Sequence, residues 1–398
     1  MNQPVETLVI GEGRAALAVV RSLGCQGIPV AVAGYSFSTL AGASRYASRR
    51  IVVPHPFMDP DGLAKALRDE ARKNPGRVWI PVTDEMLAVV DGIRDSLREI
   101  GDIRFPFPPS EVLELAWDKA KLVEFASVCG LHAPRTARPQ HAREAVEEAV
   151  SLGFPVVLKP ARSKLRTKNG FREGRVRIIR DQKELISAWN REHDNIPFPL
   201  LQENIPGHGE GVFILADGGR VVARFAHRRI REKPPSGGVS VLRESVPVPE
   251  ILIEPVDRLV QALGWHGVCM IEFRIDARDG KPYLMEINPR FWGSLQLAVD
   301  SGVDFPHLLY RLALGEKLEP ALNYRNGIRS RWLLGDLDHL IIRLKHRSGH
   351  PDLSSKSVGK LHALLKFLNP MAGTQEVFRW NDMKPAWVEL MKYIGWLK

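Results

Sequence analysis

Short apolar runs alternate with helical patterns over the first 107 residues, and this alternation constrains the fold more than any other feature of the chain. The runs LVI, VAVA, IVV and VWIP are separated by a glycine turn and by segments of helical periodicity. Such runs are typical of strands buried on both faces, and strands that alternate with helices form parallel sheets. We therefore predict a Rossmann-like, doubly wound parallel sheet that ends at the proline-rich stretch FPFPPS.

The rest of the chain predicts mixed α+β structure followed by a mostly helical tail. A helix begins near Ser110, a plausible N-cap, and continues to a stop at Gly130. We also predict helices at 61–73, 141–152, 181–194, 250–263 and 303–314, and strands at PVVLKP, RVRIIR and LLQENI. Two hairpins turn at Gly218-Gly219 and at Asp279-Gly280. PVVLKP, LLQENI and the first hairpin are expected to form one antiparallel unit, and the second hairpin a further unit.

The first glycine turn, GEGRAA at residues 11–16, fits the pattern GxGxxA between a strand and a helix. Such a turn can hold a pyrophosphate at a helix N-terminus. An NAD site also needs a carboxylate at the end of the second strand, and VAVAGYSFS offers none there. The missing carboxylate favours a structural turn, with an NAD(P)-dependent oxidoreductase as the alternative.

The stretch PYLMEINPRFWGS, residues 282–294, places three polar side chains on one face of an otherwise apolar strand. Glu286, Asn288 and Arg290 are spaced by two residues, so they point the same way. Glu272 lies on the other arm of the same predicted hairpin. Burying these groups without partners would cost several kcal/mol. Two carboxylates and an amide are ligands that Mg²⁺ accepts beside phosphate oxygens and water, so we predict a magnesium and phosphate site here.

Two further segments point to a nucleotide. Lys159 ends the strand PVVLKP and precedes a loop at 161–175 that is rich in Arg and Lys; the basic group spans 162–177. This loop is either a solvated basic loop or a cover for phosphates. In LLQENIPGHGEG, Glu203 and Glu210 flank a glycine-rich bend and could hold a ribose or an amino group, while the backbone of 202–205 contacts an adenine edge.

With VIGEGRAAL, DKAKL, FPVVLKP, LLQENIPGHGEG and above all IEF…YLMEINPRFWGS, the chain resembles the ATP-grasp superfamily, specifically its carboxylate–amine (or carboxylate–thiol) ligases. The resemblance covers roughly residues 5–320. It implies a Rossmann-like domain at 1–108, a linker helix and first ATP-grasp subdomain at 109–200, a second subdomain with the metal site at 201–325, and a basic helical extension at 326–398. The loop after Lys159 departs from the family pattern because it is longer and cationic.

The resemblance also implies roles for individual residues. The metal ligands, for Mg²⁺ or Mn²⁺, would be Glu272, Glu286 and Asn288. The groups that contact ATP would be Lys119, Lys159, Gln202, Glu203, Asn204, Ile205 and Glu210. The positive groups at the site of phosphoryl transfer would be Arg229, Arg231 and Arg290, the last of which would stabilise an acyl phosphate and a tetrahedral intermediate. The implied reaction joins a small-molecule carboxylate to an amine, and a homodimer is one assembly that it allows.

Substrate contacts are less specified. Arg243 follows PPSGG in a stretch, 234–245, that is either a substrate loop or an ordinary connection. Asp84 and Glu85 follow a strand of the first sheet and could receive a cationic amine, although a helix N-cap at Asp84 explains them nearly as well. His227 precedes two arginines and could face the site. No GxSxG motif supports hydrolase chemistry.

The charge of the chain limits its partners. A net charge of +10 favours anionic partners. A nucleic-acid-binding protein is a second alternative, but no recognised module is present. Three dispersed cysteines, no apolar run of 18 residues and no secretory leader predict a cytoplasmic protein. The tail after 331 predicts basic amphipathic helices that pack on the core; contact with a membrane surface is the less favoured alternative.

Overall fold

The computed structural model describes residues 4–161, 164–167, 170–173, 176–193, 199–236, 238–346, 359–369 and 372–396. The strands are β1 (Thr7–Ile10), β2 (Val30–Gly34), β3 (Ala47–Val52), β4 (Val78–Pro81), β5 (Thr136–Ala137), β6 (Val156–Lys159), β7 (Lys164–Thr167), β8 (Gly170–Glu173), β9 (Arg177–Ile179), β10 (Leu200–Glu203), β11 (Gly207–Asp217), β12 (Arg220–Lys233), β13 (Val239–Val246), β14 (Gly267–Asp276), β15 (Pro282–Asn288), β16 (Arg329–Arg331) and β17 (Thr374–Gln375).

The helices are α1 (Gly13–Cys25), α2 (Leu40–Ala43), α3 (Pro60–Lys73), α4 (Asp84–Gly92), α5 (Arg94–Ile100), α6 (Ser110–Trp117), α7 (Lys119–Val128), α8 (Ala142–Leu152), α9 (Gln182–His193), α10 (Glu250–Ala262), α11 (Leu295–Ser301), α12 (Phe305–Ala313), α13 (Leu333–Lys345), α14 (Lys360–Leu368) and α15 (Lys384–Tyr393).

The N-terminal sheet has the order β3-β2-β1-β4, and all its strands are parallel, as the alternation of strands and helices predicts. Its strands β1, β2 and β4 are fully buried. The turn between β1 and α1 depends on Gly11, which has φ +129°; a Cβ there would lie 2.7 Å from Cγ2 of Val82. The glycine turn therefore serves close packing between β1 and the end of β4.

A separate four-stranded sheet has the order β5-β10-β6-β9, and α8 and α9 contribute to the apolar cluster that covers it. The assignment of LLQENI to the same unit as the following hairpin is wrong, because β10 pairs with β5 and β6. In the basic loop predicted at 161–175, positions 162–163, 168–169 and 174–175 lie outside the described residues; within the loop, β7 and β8 form an antiparallel pair.

The largest sheet has seven strands in the order β15-β14-β11-β12-β13-β16-β17. Both predicted hairpins, β11–β12 and β14–β15, are present, but they join one sheet and do not form two units. Strands β16 and β17 come from the segment predicted as a basic helical extension at 326–398. The C-terminal segment thus contributes two strands to this sheet.

The helix predicted to run from Ser110 to Gly130 is two helices, α6 and α7, because the chain leaves helical geometry at Asp118. The Asp118 carboxylate accepts hydrogen bonds from the backbone N–H groups of Ala120 and Lys121 and so caps α7. Ser110 is not an N-cap; its hydroxyl donates to Asp91 instead. The break places Lys119 at the first position of a new helix.

The tail packs on the core, mainly through α13, β17 and the segment that follows β17. Helix α13 contacts β12 and β13, and α15 contacts α2. Apolar side chains remain exposed on α14 and α15, among them Leu361, Leu365, Leu368 and Trp387. Among the described residues, none of the helices is long and apolar enough to cross a membrane.

Candidate active site

Two glutamates face each other across the β14–β15 hairpin, where Glu272 is directly opposite Glu286. Nδ2 of Asn288 donates to Oε1 of Glu286 at 3.1 Å, and Nη2 of Arg290 donates to Oδ1 of Asn288 at 3.2 Å. The structure therefore brings the predicted carboxylates, amide and guanidinium together on one side of the hairpin.

The two carboxylates have opposite electrostatic behaviour. Burial, and then the charge of Glu286, raise the pKa of Glu272 to about 7. Burial also opposes ionisation of Glu286, but the ammonium of Lys119 and hydrogen bonds from Lys119 and Asn288 outweigh it and hold its pKa near 2. Glu286 is thus an anion at neutral pH, whereas Glu272 is poised to lose a proton when a further cation approaches.

Both predicted phosphate-binding lysines lie near these carboxylates. Nζ of Lys119 is 2.8 Å from Oε2 of Glu286. Lys159 is 5 % exposed, and its Nζ donates to Oε1 of Gln202 at 2.6 Å. Burial, and then the charge of Lys119, lower the pKa of Lys159 to about 7. A buried lysine with a neighbouring cation is well prepared to accept an anion such as a phosphate.

The predicted adenine and ribose contacts are more dispersed. Gln202 is fully buried and turned toward Lys159, whereas Glu203 accepts a hydrogen bond from Nε of Arg135 at 3.2 Å. Asn204 is half-buried, and the carbonyl of the buried Ile205 accepts a bond from Nε of Arg274 at 2.5 Å. The sequence did not single out Arg135 or Arg274.

Glu210 does not share a face with the opposed glutamates. In the β11–β14 ladder, Gly211 lies opposite Glu272 and Glu210 lies opposite Phe273. Since neighbouring residues of a strand point to opposite faces, the Glu210 side chain leaves the sheet on the other side. Its carboxylate is 3.3 Å from Nε2 of His208. The ribose role of Glu210 stays a prediction.

A cavity of about 340 Å³ adjoins the carboxylates and is lined by several arginines. The cations that line it are Arg14, Arg229, Arg243 and Arg290, and the anions are Glu272 and Glu286. Arg229 and Arg243 are directly opposite each other on β12 and β13. Like charges in this arrangement repel, and each arginine has a carboxylate partner, Glu232 for Arg229 and Glu376 for Arg243.

Glu376, which sequence reasoning missed, lies behind this cavity. It is 2 % exposed; its Oε2 is 2.5 Å from Nη1 of Arg14, and its Oε1 forms an ion pair with the fully buried guanidinium of Arg243. Arg14 also stacks on the ring of Trp332, 4.0 Å from the centroid. The C-terminal segment therefore holds two arginines of the cavity in place.

Asp84 belongs to the site through Arg290. Its Oδ2 accepts a hydrogen bond from Nε of Arg290 at 2.8 Å. The alternative that Asp84 is a helix N-cap is wrong, because the cap of α4 is Thr83, whose hydroxyl accepts from the N–H of Met86. Asp84 therefore links the N-terminal sheet to the end of β15.

Three other sequence predictions have different outcomes. Arg231 lies outside this cavity and pairs with Asp336 at 2.8 Å, because irregular register on β12 between Arg229 and Arg231 turns it away. Residues 239–245 of the stretch predicted as a substrate loop or a connection belong to β13. His227 does line the cavity, and its Nε2 is 2.8 Å from Oγ of Ser294. Burial, and then the charge of Arg243, lower its pKa well below 6.5, so its ring is neutral.

Comparison with known proteins agrees with this geometry. Residues 195–335 match the family described as ATP-grasp in the biosynthetic pathway with Ter operon. Over 211 residues, half of this chain, the sequence is 24% identical to the N-terminal section of the carbamoyl phosphate synthase large chain of Methanopyrus kandleri. It is 26% identical over 226 residues to the carbamoyl phosphate synthase large chain of Clostridium botulinum. The chain spans 36% and 20% of the lengths of these relatives.

Solved structures share the fold at low sequence identity. The biotin carboxylase domain of Hydrogenobacter thermophilus 2-oxoglutarate carboxylase, solved with MgADP, ADP and bicarbonate, has a TM-score of 0.65 and 21% identity, covering 83% of this chain and 74% of that one. An ADP complex of N5-carboxyaminoimidazole ribonucleotide synthetase has a TM-score of 0.65 and 16% identity, covering 88% and 89%. The L-amino acid ligase of Bacillus licheniformis has a TM-score of 0.61 and 20% identity, covering 80% and 76%. The segment that carries the opposed glutamates, residues 195–335, thus matches an ATP-grasp family, and the chain shares the fold of these solved structures.

Proposed function

We propose that the chain is an ATP- and Mg²⁺-dependent ligase that activates a substrate carboxylate as an acyl phosphate and joins it to an amine, with release of ADP and phosphate. The observation that carries the proposal is the Glu272–Glu286 pair with Lys119 at 2.8 Å from Glu286. ADP in two of the similar structures, and the ligase named in a third, support it.

The residues present suit a magnesium ion. No group of three or more His, Cys, Asp or Glu side chains arranged to hold a metal occurs among the described residues. The hairpin instead offers two carboxylates and the Asn288 amide, and Mg²⁺ commonly takes one or two carboxylates with phosphate oxygens and water. The raised pKa of Glu272 has the sign expected for a carboxylate that lacks its cation. When bound, Mg²⁺ or Mn²⁺ would neutralise charge on the phosphates.

The side chains of the protein then position the reactants. Lys119 and Lys159 hold the phosphates of ATP, and Arg229 and Arg290 stabilise charge on the transferred group. A carboxylate oxygen of the substrate attacks the γ-phosphorus, the bond to the β,γ-bridging oxygen breaks, and ADP leaves. The amine attacks the acyl carbon, loses a proton, and displaces phosphate to leave an amide.

The test is a screen of ADP release with amino acids and other small carboxylates in mixtures, with Mg²⁺ and with EDTA. We expect release that requires a carboxylate, an amine and Mg²⁺. ATP turnover that ignores all carboxylates, or that persists in EDTA, would contradict the proposal. Mass spectrometry of the active mixture identifies the amide, or a thioester if the nucleophile is a thiol.

The oxidoreductase alternative has less support. The carboxylate of Glu12, in the glycine turn, accepts a hydrogen bond from the N–H of Ser36 at 2.7 Å, just beyond the end of β2. In a dinucleotide site the ribose binds at this end of the second strand. In this chain the Glu12 carboxylate already accepts a hydrogen bond there. Calorimetry with NADH and with ATP–Mg²⁺ separates the two functions, and a gel-shift assay with generic DNA tests nucleic-acid binding. We expect the chain to bind ATP–Mg²⁺ and to bind neither NADH nor DNA.

A further inference from the structure

A second cavity, of about 630 Å³, lies between the seven-stranded sheet and the C-terminal helices. Small-molecule sites typically enclose roughly 300–1,000 Å³. Its walls come from the end of β12, from β13, and from α13 and α14. Strand β12 serves both cavities, since Arg229 lines the candidate active site and Arg231 lines this one.

One buried carboxylate in this cavity serves two guanidinium groups. Asp336 is 1 % exposed. Its Oδ2 accepts from Nη2 of Arg231 at 2.8 Å and from Nε of Arg331 at 2.6 Å. One negative charge therefore faces two positive charges, which leaves a surplus of one positive charge in this group.

Arg343 adds a positive charge that no described carboxylate offsets. Its Nε donates to Nε2 of His339 at 2.9 Å, and Nδ1 of His339 donates to the carbonyl of Glu232 at 2.6 Å. Burial lowers the pKa of His339, so the ring is neutral. Within the part of the chain that the structure describes, the buried Nη1 of Arg343 has no hydrogen-bond partner. A buried donor without a partner is costly unless a ligand completes it.

The other charged side chains of the cavity do not reverse this balance. Glu232 pairs with Arg229, and Arg329 pairs with Glu244. Lys366 contributes a further ammonium group to the cavity wall. The local surplus of charge is positive.

Apolar side chains also line this cavity. They are Leu242, Leu340, Ala363 and Phe367. A ligand that fills this cavity would therefore meet both positive charge and hydrocarbon.

From this arrangement we infer that the cavity is a second ligand site, for a small organic anion with an apolar body and a carboxylate or phosphate group that contacts Arg343 and Arg231. The site does not depend on the proposed ligase function, because the structure places Arg231 outside the candidate active site and no residue used in the proposed function lines this cavity. Guanidinium groups bind both kinds of anion through charge-assisted hydrogen bonds.

Calorimetry on the full chain without nucleotide tests the inference, with phenyl phosphate, phenylacetate and uncharged phenol as probes. We expect at least one of the two anions to bind and phenol not to bind detectably. Arg343→Gln should weaken anion binding by roughly 10–100-fold, the range for a hydrogen bond to a charged group. Lys345→Gln, which removes the same charge from an exposed position on the same helix, is the matched control and should leave binding unchanged.

A steric variant gives an independent check. Ala363→Phe places a larger side chain into the cavity wall and should also abolish binding, while ATP binding and the far-UV circular dichroism spectrum stay as in the wild type. Binding that is equal in Arg343→Gln and wild type, failure of both anions to bind, or displacement of the bound anion by ATP would overturn the inference. The stronger of the two anionic probes identifies the preferred head group.

Discussion

Nζ of Lys119 lies 2.8 Å from Oε2 of Glu286, so the first residue of α7 and the hairpin arm β15 meet at one ion pair. This contact joins a predicted phosphate-binding cation to a predicted metal-binding anion. Both partners are available to a triphosphate and its cation only if the ion pair rearranges. The contact is therefore a sensitive place to test the proposed function.

Glu286→Ala should abolish substrate-dependent ADP formation with little loss of folded protein. Removal of one electrostatic contact to the transferring group typically lowers kcat by about 10²–10³-fold. A coupled assay for ADP measures the effect, and the exposed Glu319→Ala serves as the matched control. Turnover at the wild-type rate in Glu286→Ala would contradict the proposal that Glu286 binds the metal.

Asp84→Asn should lower kcat by roughly 10–100-fold, since it weakens a charge-assisted hydrogen bond that orients Arg290. The expected signature is a fall in kcat with the KM for ATP nearly unchanged, because we propose that Arg290 contacts the transferred group. Asp95→Asn is the control, for Asp95 also lies in the first turn of a helix but is exposed. A drop in thermal stability with unchanged kcat would show that Asp84 is only structural.

Glu376→Gln should destabilise the protein by about 3–5 kcal/mol, the usual cost of leaving buried charges without a partner. The variant leaves Arg14 and Arg243 without their common anion. Urea unfolding measures the change, and the double variant Glu376→Gln/Arg243→Met should recover part of it. Glu316→Gln, which breaks an ion pair with a partly exposed arginine, should cost under about 1 kcal/mol.

Nucleotide binding should take up a proton near pH 8 through Lys159. Its pKa of about 7 leaves most of this group neutral at that pH, and phosphates favour the charged form and raise the pKa. ADP affinity in EDTA should therefore fall as the pH rises above 7. Calorimetry in buffers of different ionisation enthalpy counts the protons.

Lys159→Met is the variant that assigns this uptake. It should bind ADP weakly and without the pH dependence, because it has no group to protonate at that position. If this variant retains the full proton uptake, a residue other than Lys159 takes up the proton. Glu272, whose pKa is also about 7, is the neighbouring candidate.

Features set by local geometry were predictable from the sequence. The shared face of Glu286, Asn288 and Arg290 follows from the two-residue period of a strand, and the parallel sheet follows from alternating buried strands and helices. Arg231 was assigned to the site of phosphoryl transfer by the resemblance alone, and the structure places it in another cavity, beside an irregularity in the register of β12. A bulge of this kind is not visible in the residue types.

Features that depend on distant contacts were not predictable. Glu376 reaches Arg14 across 362 positions, and no local pattern distinguishes it from an exposed glutamate. The single helix predicted across Asp118 was wrong because Asp118 caps a second helix. Of the two alternatives for Asp84, the N-cap is wrong because Thr83 caps α4, and the bond to Arg290 was part of neither.

The segment after β17 also forms hydrogen bonds with Arg21 of helix α1. Arg21 donates through Nε to Asp382 at 2.8 Å and through its other nitrogens to the carbonyls of Glu376 and Val377. Its partner Asp382 is 361 residues further along the chain. Ribosomes add roughly 5–20 residues per second, so on the order of 20–70 s pass between the synthesis of Arg21 and that of Asp382. The buried Arg21 therefore gains its partners only after both segments of the chain have been synthesised.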